Sequence, residues 1–205
     1  MSPIQKRNAN TTALILDAAK REFTTFGFKK VTMDEIAREL DMGKASLYYY
    51  FRTKDHLFGA VITREHQRFM TTVESRVADA ASAREKIKTF VAERTEYFNR
   101  LVHLSVLDLR YTSAMKPIFA ELFEGFSRQE LRVLRAIIQE GRKNGEFSVP
   151  SDEKVAKALL HTLQGLRLRF VRFLDAPRLG PKDYDRLRKE QGFVTDMILR
   201  GIQKQ

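Results

Sequence analysis

Three short stretches carry residue types at spacings suited to holding a polyanion. The first is Val31-Thr32-Met33-Asp34-Glu35-Ile36. Thr32 and Glu35 stand at the spacing of a capping box, in which each side chain satisfies the other residue's backbone N–H. Val31 and Ile36 occupy the two positions of a hydrophobic staple. A helix start of this kind concentrates N–H groups and partial positive charge, which attract anions. Capping is therefore the main role expected of Thr32, with a hydroxyl contact to a phosphate as a second.

The second stretch is Lys44-Ala45-Ser46-Leu47-Tyr48-Tyr49-Tyr50-Phe51. At about 100° per residue, Leu47 and Phe51 share one face, with Tyr50 beside them. Ala45 and Tyr49 point the opposite way, flanked by Ser46 and Tyr48. A tyrosine held in water on a two-turn helix gains little in an isolated globule, but it gains in a DNA groove. Its hydroxyl can bond a phosphate, and a small Ala lets the backbone approach base edges. Packing against a neighbouring helix is the competing role, and it is the major one expected of Tyr50. The third stretch is Arg52-Thr53-Lys54-Asp55-His56-Leu57. Thr53 reads as a helix N-cap, which puts the Lys54 cation in a first turn where the helix dipole disfavours it. A phosphate docked at that terminus would be attracted by both.

These stretches need helices to position them. Leu14, Ile15, Ala18, Ala19, Phe23 and Phe26 follow helical spacing until Gly27. Short helices are expected over Met33–Leu40 and Lys44–Phe51, joined by Asp41-Met42-Gly43, and this is the outline of a helix-turn-helix. A long helix should run from near Lys54 to about Ala80. Further helices are expected near Ala83–Arg100, Val102–Ser113, Lys116–Lys143, Asp152–Leu174 and Lys182–Gln203, with breaks at Pro117, Gly145, Pro150 and Pro177 to Pro181. The expectation is all-α, about nine helices and no strand. Residues 1–60 would form a helix-turn-helix domain preceded by a mobile basic arm over residues 1–10. Residues 61–205 would form a second, larger helical domain.

Bulk properties narrow the classes. The 205 residues contain no cysteine, which excludes disulfides and thiolate metal sites. The polar N-terminus lacks the apolar core of a signal peptide, and no window is apolar enough for a transmembrane helix. A cytoplasmic protein with no membrane partner is expected. The net charge is +11, but residues 1–60 carry only +3 and the remaining +8 lies downstream, so charge alone does not locate a nucleic-acid site. No paired carboxylates, nucleophile motif or His-Glu metal spacing occurs, and the four histidines, at 56, 66, 103 and 161, are scattered. No enzymatic activity, cofactor or metal is expected. The alternative class is a basic helical protein of membrane surfaces or lipids.

The run from Val31-Thr32-Met33-Asp34-Glu35-Ile36-Ala37 through Leu47-Tyr48-Tyr49-Tyr50-Phe51-Arg52-Thr53-Lys54-Asp55-His56-Leu57 resembles the DNA-binding domain of TetR/AcrR-family transcriptional regulators over roughly residues 11–60. The resemblance implies a recognition helix carrying Lys44, Ala45, Ser46, Tyr48 and Tyr49, with Thr32, Tyr50 and Lys54 holding the DNA backbone. Gly43 stands where the family often has Ser or Thr, so a backbone N–H would replace a side-chain phosphate contact. Tyr49 stands where the family often has His. The resemblance further implies a homodimer on a pseudo-palindromic double-stranded operator, acting as a repressor released by a small-molecule effector.

In the larger domain, Phe90, Tyr97 and Phe98 suit one apolar wall, and Phe119, Phe123 and Phe126 another. Ordinary core accounts for most of these. A ligand cavity between helices would draw on Tyr97, Phe119 and Phe123 with the interleaved polar residues His103, Tyr111, His161 and Gln164. Two arginine groups, Arg167, Arg169, Arg172 and Arg128, Arg132, Arg135, read as solvated faces or as contacts to an anionic effector such as a fatty acid or acyl-CoA. The apolar stripes Leu159, Leu163, Leu166, Phe170 and Leu187, Val194, Ile198 suit a four-helix dimer interface. Phe193 and Met197 lie on the second of these stripes.

Overall fold

The computed structural model describes residues 3–103, 117–172 and 180–204. Among them are eight helices: α1 (Pro3–Phe26), α2 (Met33–Glu39), α3 (Lys44–Tyr50), α4 (Lys54–Ala78), α5 (Ala83–His103), α6 (Pro117–Lys143), α7 (Asp152–Arg172) and α8 (Pro181–Ile202). The sole β feature among the described residues is an isolated antiparallel bridge between Phe147 and Gln203. The expected helix over Val102–Ser113 falls largely on residues 104–116, outside the described residues; Val102 and His103 finish α5. Two compact units divide the chain: the first runs to Glu65 inside α4 and takes in the last residues of α5 from Leu101, and the second holds His66–Arg100 with α6, α7 and α8.

Residues 3–10 correct one expectation. They form the opening turns of α1 rather than a loose arm. Pro3 suits a first helical position, where its missing N–H is no loss, and no glycine or proline interrupts the helix before Gly27. The Thr11 and Thr12 hydroxyls donate back to the Arg7 and Asn8 carbonyls at 3.0 and 2.9 Å, as threonines do within a continuous helix.

The first unit closes on a small apolar core. Ile15, Ala18, Ala19 and Phe23 of α1, Ile36 and Ala37 of α2, Leu47 of α3, and Leu57, Phe58 and Val61 of α4 are all buried. Burial of each large side chain contributes about 1.5–3 kcal/mol. Phe58 bridges the α1 end, its ring 5.1 Å from Phe23 and 4.6 Å from Phe28. Gly27 ends α1 at φ 83°, in the left-handed region that a side chain would disfavour.

The second unit is built on α6 packed against α7 and α7 against α8, with α5 joined to them. Ile87 and Phe90, Leu134 and Ile138, Leu159, Leu160 and Leu163, and Leu187 and Leu199 form its core. Polar bonds tie the helices at fixed points. Gln191 of α8 accepts from Thr95 of α5 at 2.6 Å and donates to the Leu163 carbonyl of α7 at 3.1 Å. The Glu146 carboxylate accepts from the backbone N–H groups of Ala83 and Arg84, satisfying the start of α5. Gly141 sits so close to Phe147 that a Cβ there would lie 2.3 Å from its ring.

This packing corrects three of the residues expected at a dimer face. Leu159, Leu163 and Leu187 are 1%, 0% and 0% exposed within their own chain. A helical stripe does not say whether its partner is the same chain or another copy, and here these leucines are consumed by α6–α7–α8 packing. Leu166, Phe170, Val194 and Ile198 are partly buried. The large apolar side chains left exposed on α7 and α8 are Leu168, Phe193 and Met197.

Candidate nucleic-acid interface

Helices α2 and α3 are held apart and in register by their turn. Asp41 takes φ 51°, a left-handed conformation that Asp tolerates better than most residues. The Met42 N–H then returns to the Ala37 carbonyl at 2.9 Å. Gly43 opens α3 with an extended backbone and no side-chain cap. Its φ is ordinary, and a Cβ there would meet only the Ser46 hydroxyl at 3.8 Å. The absence of a side chain at residue 43 therefore leaves the first N–H groups of α3 uncapped rather than relieving strain.

The capping box is complete. The Thr32 N–H donates to Glu35 Oε2 at 2.7 Å, the Glu35 N–H to Thr32 Oγ1 at 3.3 Å, and the Thr32 hydroxyl to Glu35 Oε2 at 2.8 Å. Hydrogen bonds from Thr32 hold the Glu35 carboxyl below the usual carboxylate range. Two residues on, Asp34 Oδ2 accepts from Lys44 Nζ at 2.8 Å, which ties the start of α2 to the start of α3. The hydrogen bond and charge of Asp34 raise the Lys44 pKa.

The faces of α3 separate sharply. Leu47 is fully buried and Phe51 is 6% exposed, while Tyr49 is 77% exposed. Lys44, Ala45, Ser46 and Tyr48 are exposed with it. Tyr49 and Tyr50 meet edge to face at 5.3 Å. Tyr50 is partly buried, and its hydroxyl lies 3.4 Å from Asn8 Oδ1 of α1. That contact brings the start of α1, with exposed Arg7, beside the tyrosine face. Arg7 and Asn8 are not legible as site residues in the sequence, where the polar run 1–10 has the character of an arm.

Lys54 is placed differently from the expectation. Thr53 does cap α4, its hydroxyl accepting from the His56 N–H at 3.1 Å. The Lys54 ammonium, however, turns inward. It donates to the carbonyls of Phe28 and Val31 at 2.8 Å each, approaches that of Lys29 at 3.5 Å, and lies 4.6 Å from the centre of the Phe28 ring. Two of its N–H groups are committed to the Phe28 and Val31 carbonyls, so Lys54 ties down the α1–α2 turn.

In the second unit, the residues expected to line a cavity do not all come together. Tyr97 is buried, stacked on Phe69 at 4.6 Å. Phe123 meets Phe126 at 5.8 Å, and Gln164 donates to the Ser127 hydroxyl at 3.0 Å. Phe119 is partly buried. His161 is exposed, which removes it from any interior wall: it lies two positions from Leu163 on α7, so burying one turns the other outward. Tyr111 and the His103 side chain lie outside the described residues.

The interior also holds a polar cluster that the sequence reading passed over. Arg94 Nε donates to Glu130 Oε2 at 2.6 Å, with both side chains buried. His66 Nε2 lies 3.7 Å from Glu130 Oε1, its ring stacked on Phe126 at 3.9 Å. Burial pushes the Glu130 carboxyl up, but the Arg94 charge and the polar contacts from His66 and Arg94 outweigh it, leaving the group at about 2. The missed signal was position rather than residue type. His66 falls on the apolar stripe Ile62, Phe69, Val73, and Arg94 on Ile87, Phe90, Val91, Phe98.

A capped helix-turn-helix with one exposed aromatic face, followed by a larger helical domain, defines a class: the helix-turn-helix transcriptional regulator. Residues 15–61 match the family model described as bacterial regulatory proteins of the tetR family, and residues 63–165 match that of the YsiA-like protein C-terminal region. The crystal structure of a transcriptional regulator from Cytophaga hutchinsonii superposes with a TM-score of 0.85 at 35% identity, covering 93% of this chain and 97% of that one. Among curated proteins, an uncharacterized HTH-type transcriptional regulator, YhgD of Bacillus subtilis, is 26% identical over 72% of this chain and 77% of its own length. The HTH-type transcriptional regulator QacR of Staphylococcus aureus is 25% identical over 74% of this chain and 81% of its own.

The chain belongs to the TetR family of transcriptional regulators. The relatives are regulators rather than enzymes. Among the described residues, no helix is long and apolar enough to cross a membrane.

Proposed function

We propose that the chain is a ligand-responsive repressor. It binds a pseudo-palindromic operator as a homodimer and is released by a small-molecule inducer. The observation that carries the DNA reading is the split face of α3, with Leu47 and Phe51 buried and Ala45 and Tyr49 outward. Lys44, Ala45, Ser46, Tyr48 and Tyr49 are assigned to the major groove. Thr32, the uncapped N–H groups after Gly43, Tyr50 and Arg7 are assigned to phosphates, with Lys54 shaping the turn behind them.

One seven-residue helix reads too few base pairs for selective binding, and two related by a dyad read two half-sites. The exposed Phe193 and Met197 of α8, with Leu168 of α7, are the apolar surface assigned to the second copy. Induction is a population shift: the inducer must prefer a state whose recognition helices no longer fit successive half-sites. Helix α4 begins at Lys54 and continues into the second unit, which makes it the covalent route for that shift.

Footprinting the purified protein on DNA flanking its own gene tests the reading. Protection of a pseudo-palindrome is expected. Tyr49→Ala should weaken cognate binding about 10-fold or more, equivalent to about 1–3 kcal/mol, and change binding to random DNA far less. Equal binding by wild type and Tyr49→Ala across a salt series rejects the assignment of α3 as the reading helix.

A further inference from the structure

Among the described residues of the second unit, Glu93 is paired with Arg76, which leaves Glu130 with two neighbouring guanidiniums. Glu130 is the one carboxylate of the cluster, and Arg94 already holds it at 2.6 Å with His66 beside it. Arg167 of α7 is a second guanidinium within electrostatic reach of this cluster. It lies over the Phe98 ring at 4.6 Å, its Nε is sealed from solvent, and that atom has no hydrogen-bond partner. No carboxylate pairs with Arg167 among the described residues. Burial and the neighbouring Arg94 charge lower its pKa to about 10, against the pull of Glu130 and Tyr97. Arg94 and Arg167 thus share the field of one carboxylate, with the rings of Phe98, Tyr97, Phe69 and Phe126 packed around the cluster.

Arg167 is half-buried, and a guanidinium with a sealed, unpartnered nitrogen is costly unless something supplies an acceptor. A guanidinium with one face on an aromatic ring still offers its N–H edge to a planar acceptor. We propose that Arg167, backed by Arg94, is the receptor for the carboxylate of a small amphiphilic acid, whose apolar body lies among the aromatic side chains of α4, α5 and α6. The inference rests on the reading of this unit as a ligand sensor and names the chemistry of the ligand. A free acid satisfies the site. A thioester of the same acid presents no carboxylate and does not.

The test is thermal denaturation of the full chain with benzoate, phenylacetate, octanoate and decanoate, each against its primary amide and, for the two fatty acids, the coenzyme A thioester. At least one acid should raise the melting temperature by about 3 °C at several times its Kd, and its amide and thioester should not. Arg167→Met should abolish that response while melting at or above wild type without ligand, because it removes an uncompensated charge. Arg167→Lys should retain a weaker response. Four results overturn the proposal: no response to any acid, equal response to acid and amide, a full response in Arg167→Met, or an Arg167→Met chain less stable than wild type. These readouts need no DNA. An acid that binds without releasing operator keeps the site and rejects the inducer role, so the two readings fail separately.

Discussion

The turn between α1 and α2 presents the carbonyls of Phe28 and Val31 to the Lys54 ammonium at 2.8 Å each, with that of Lys29 further off at 3.5 Å. Lys54→Met keeps the aliphatic stem and the contact with Phe28 but leaves part-buried acceptors unpaired. The expected loss is about 1–3 kcal/mol of stability, read by chemical denaturation, with operator binding falling as the helix-turn-helix loosens. A lysine acting only on a phosphate would behave otherwise, lowering the salt slope of binding by about 1 with stability unchanged. Tyr49 is the opposite case, since it touches little of its own fold, and its replacement should be felt in DNA binding alone. Two residues that look alike as DNA contacts in sequence thus separate by which measurement they move.

Elements meet where one helix admits another closely, and Gly141 is such a place. A Cβ there would clash with the Phe147 ring at 2.3 Å and with Ala83 Cβ at 2.7 Å. Gly141→Ala should therefore destabilise the second unit by about 1–3 kcal/mol through overpacking, despite alanine's better helix propensity, as a lowered melting temperature would record. The contact between α5 and α6 through Arg94 and Glu130 carries a pH dependence. The folded-state pKa of Glu130 is depressed from 4.5 to about 2. Its contribution is therefore fully present above pH 4.5 and is lost as pH falls through the interval down to about 2. The loss should amount to a few kcal/mol, and Glu130→Gln, already weaker at neutral pH, should show a flatter stability profile over that interval.

At the scale of the whole molecule, the apolar surface left on α7 and α8 matters most. Phe193 is 68% exposed and Met197 57%, four residues apart on one helix. Such a pair is the surface assigned to the second copy in the proposed dimer. Phe193→Asp combined with Met197→Asp should convert the protein to a monomer by sedimentation. Its helical content should stay unchanged and operator affinity should drop by two or more orders of magnitude, because one half-site is read instead of two. A dimer that survives both charges would move the interface elsewhere.

What the sequence determined by itself was local. The capping box at Thr32 and Glu35, the turn at Asp41-Met42-Gly43, the Thr53 cap and the split face of α3 all depend on residues within about four positions of one another, where helical geometry leaves one answer. Residues 3–10 are the exception, because polarity alone does not distinguish an exposed helix from an arm. What only the tertiary structure decided was the partner of each face. Leu159, Leu163 and Leu187 carry the same stripe as a dimer interface, yet their own chain buries them. Lys54 turns inward because carbonyls 23 to 26 residues away await it. His66, Arg94, Glu130 and Arg167 become one charged interior because α4, α5, α6 and α7 bring them together across about a hundred residues of sequence. Periodicity states that a side chain is inside, and only packing states what it meets there.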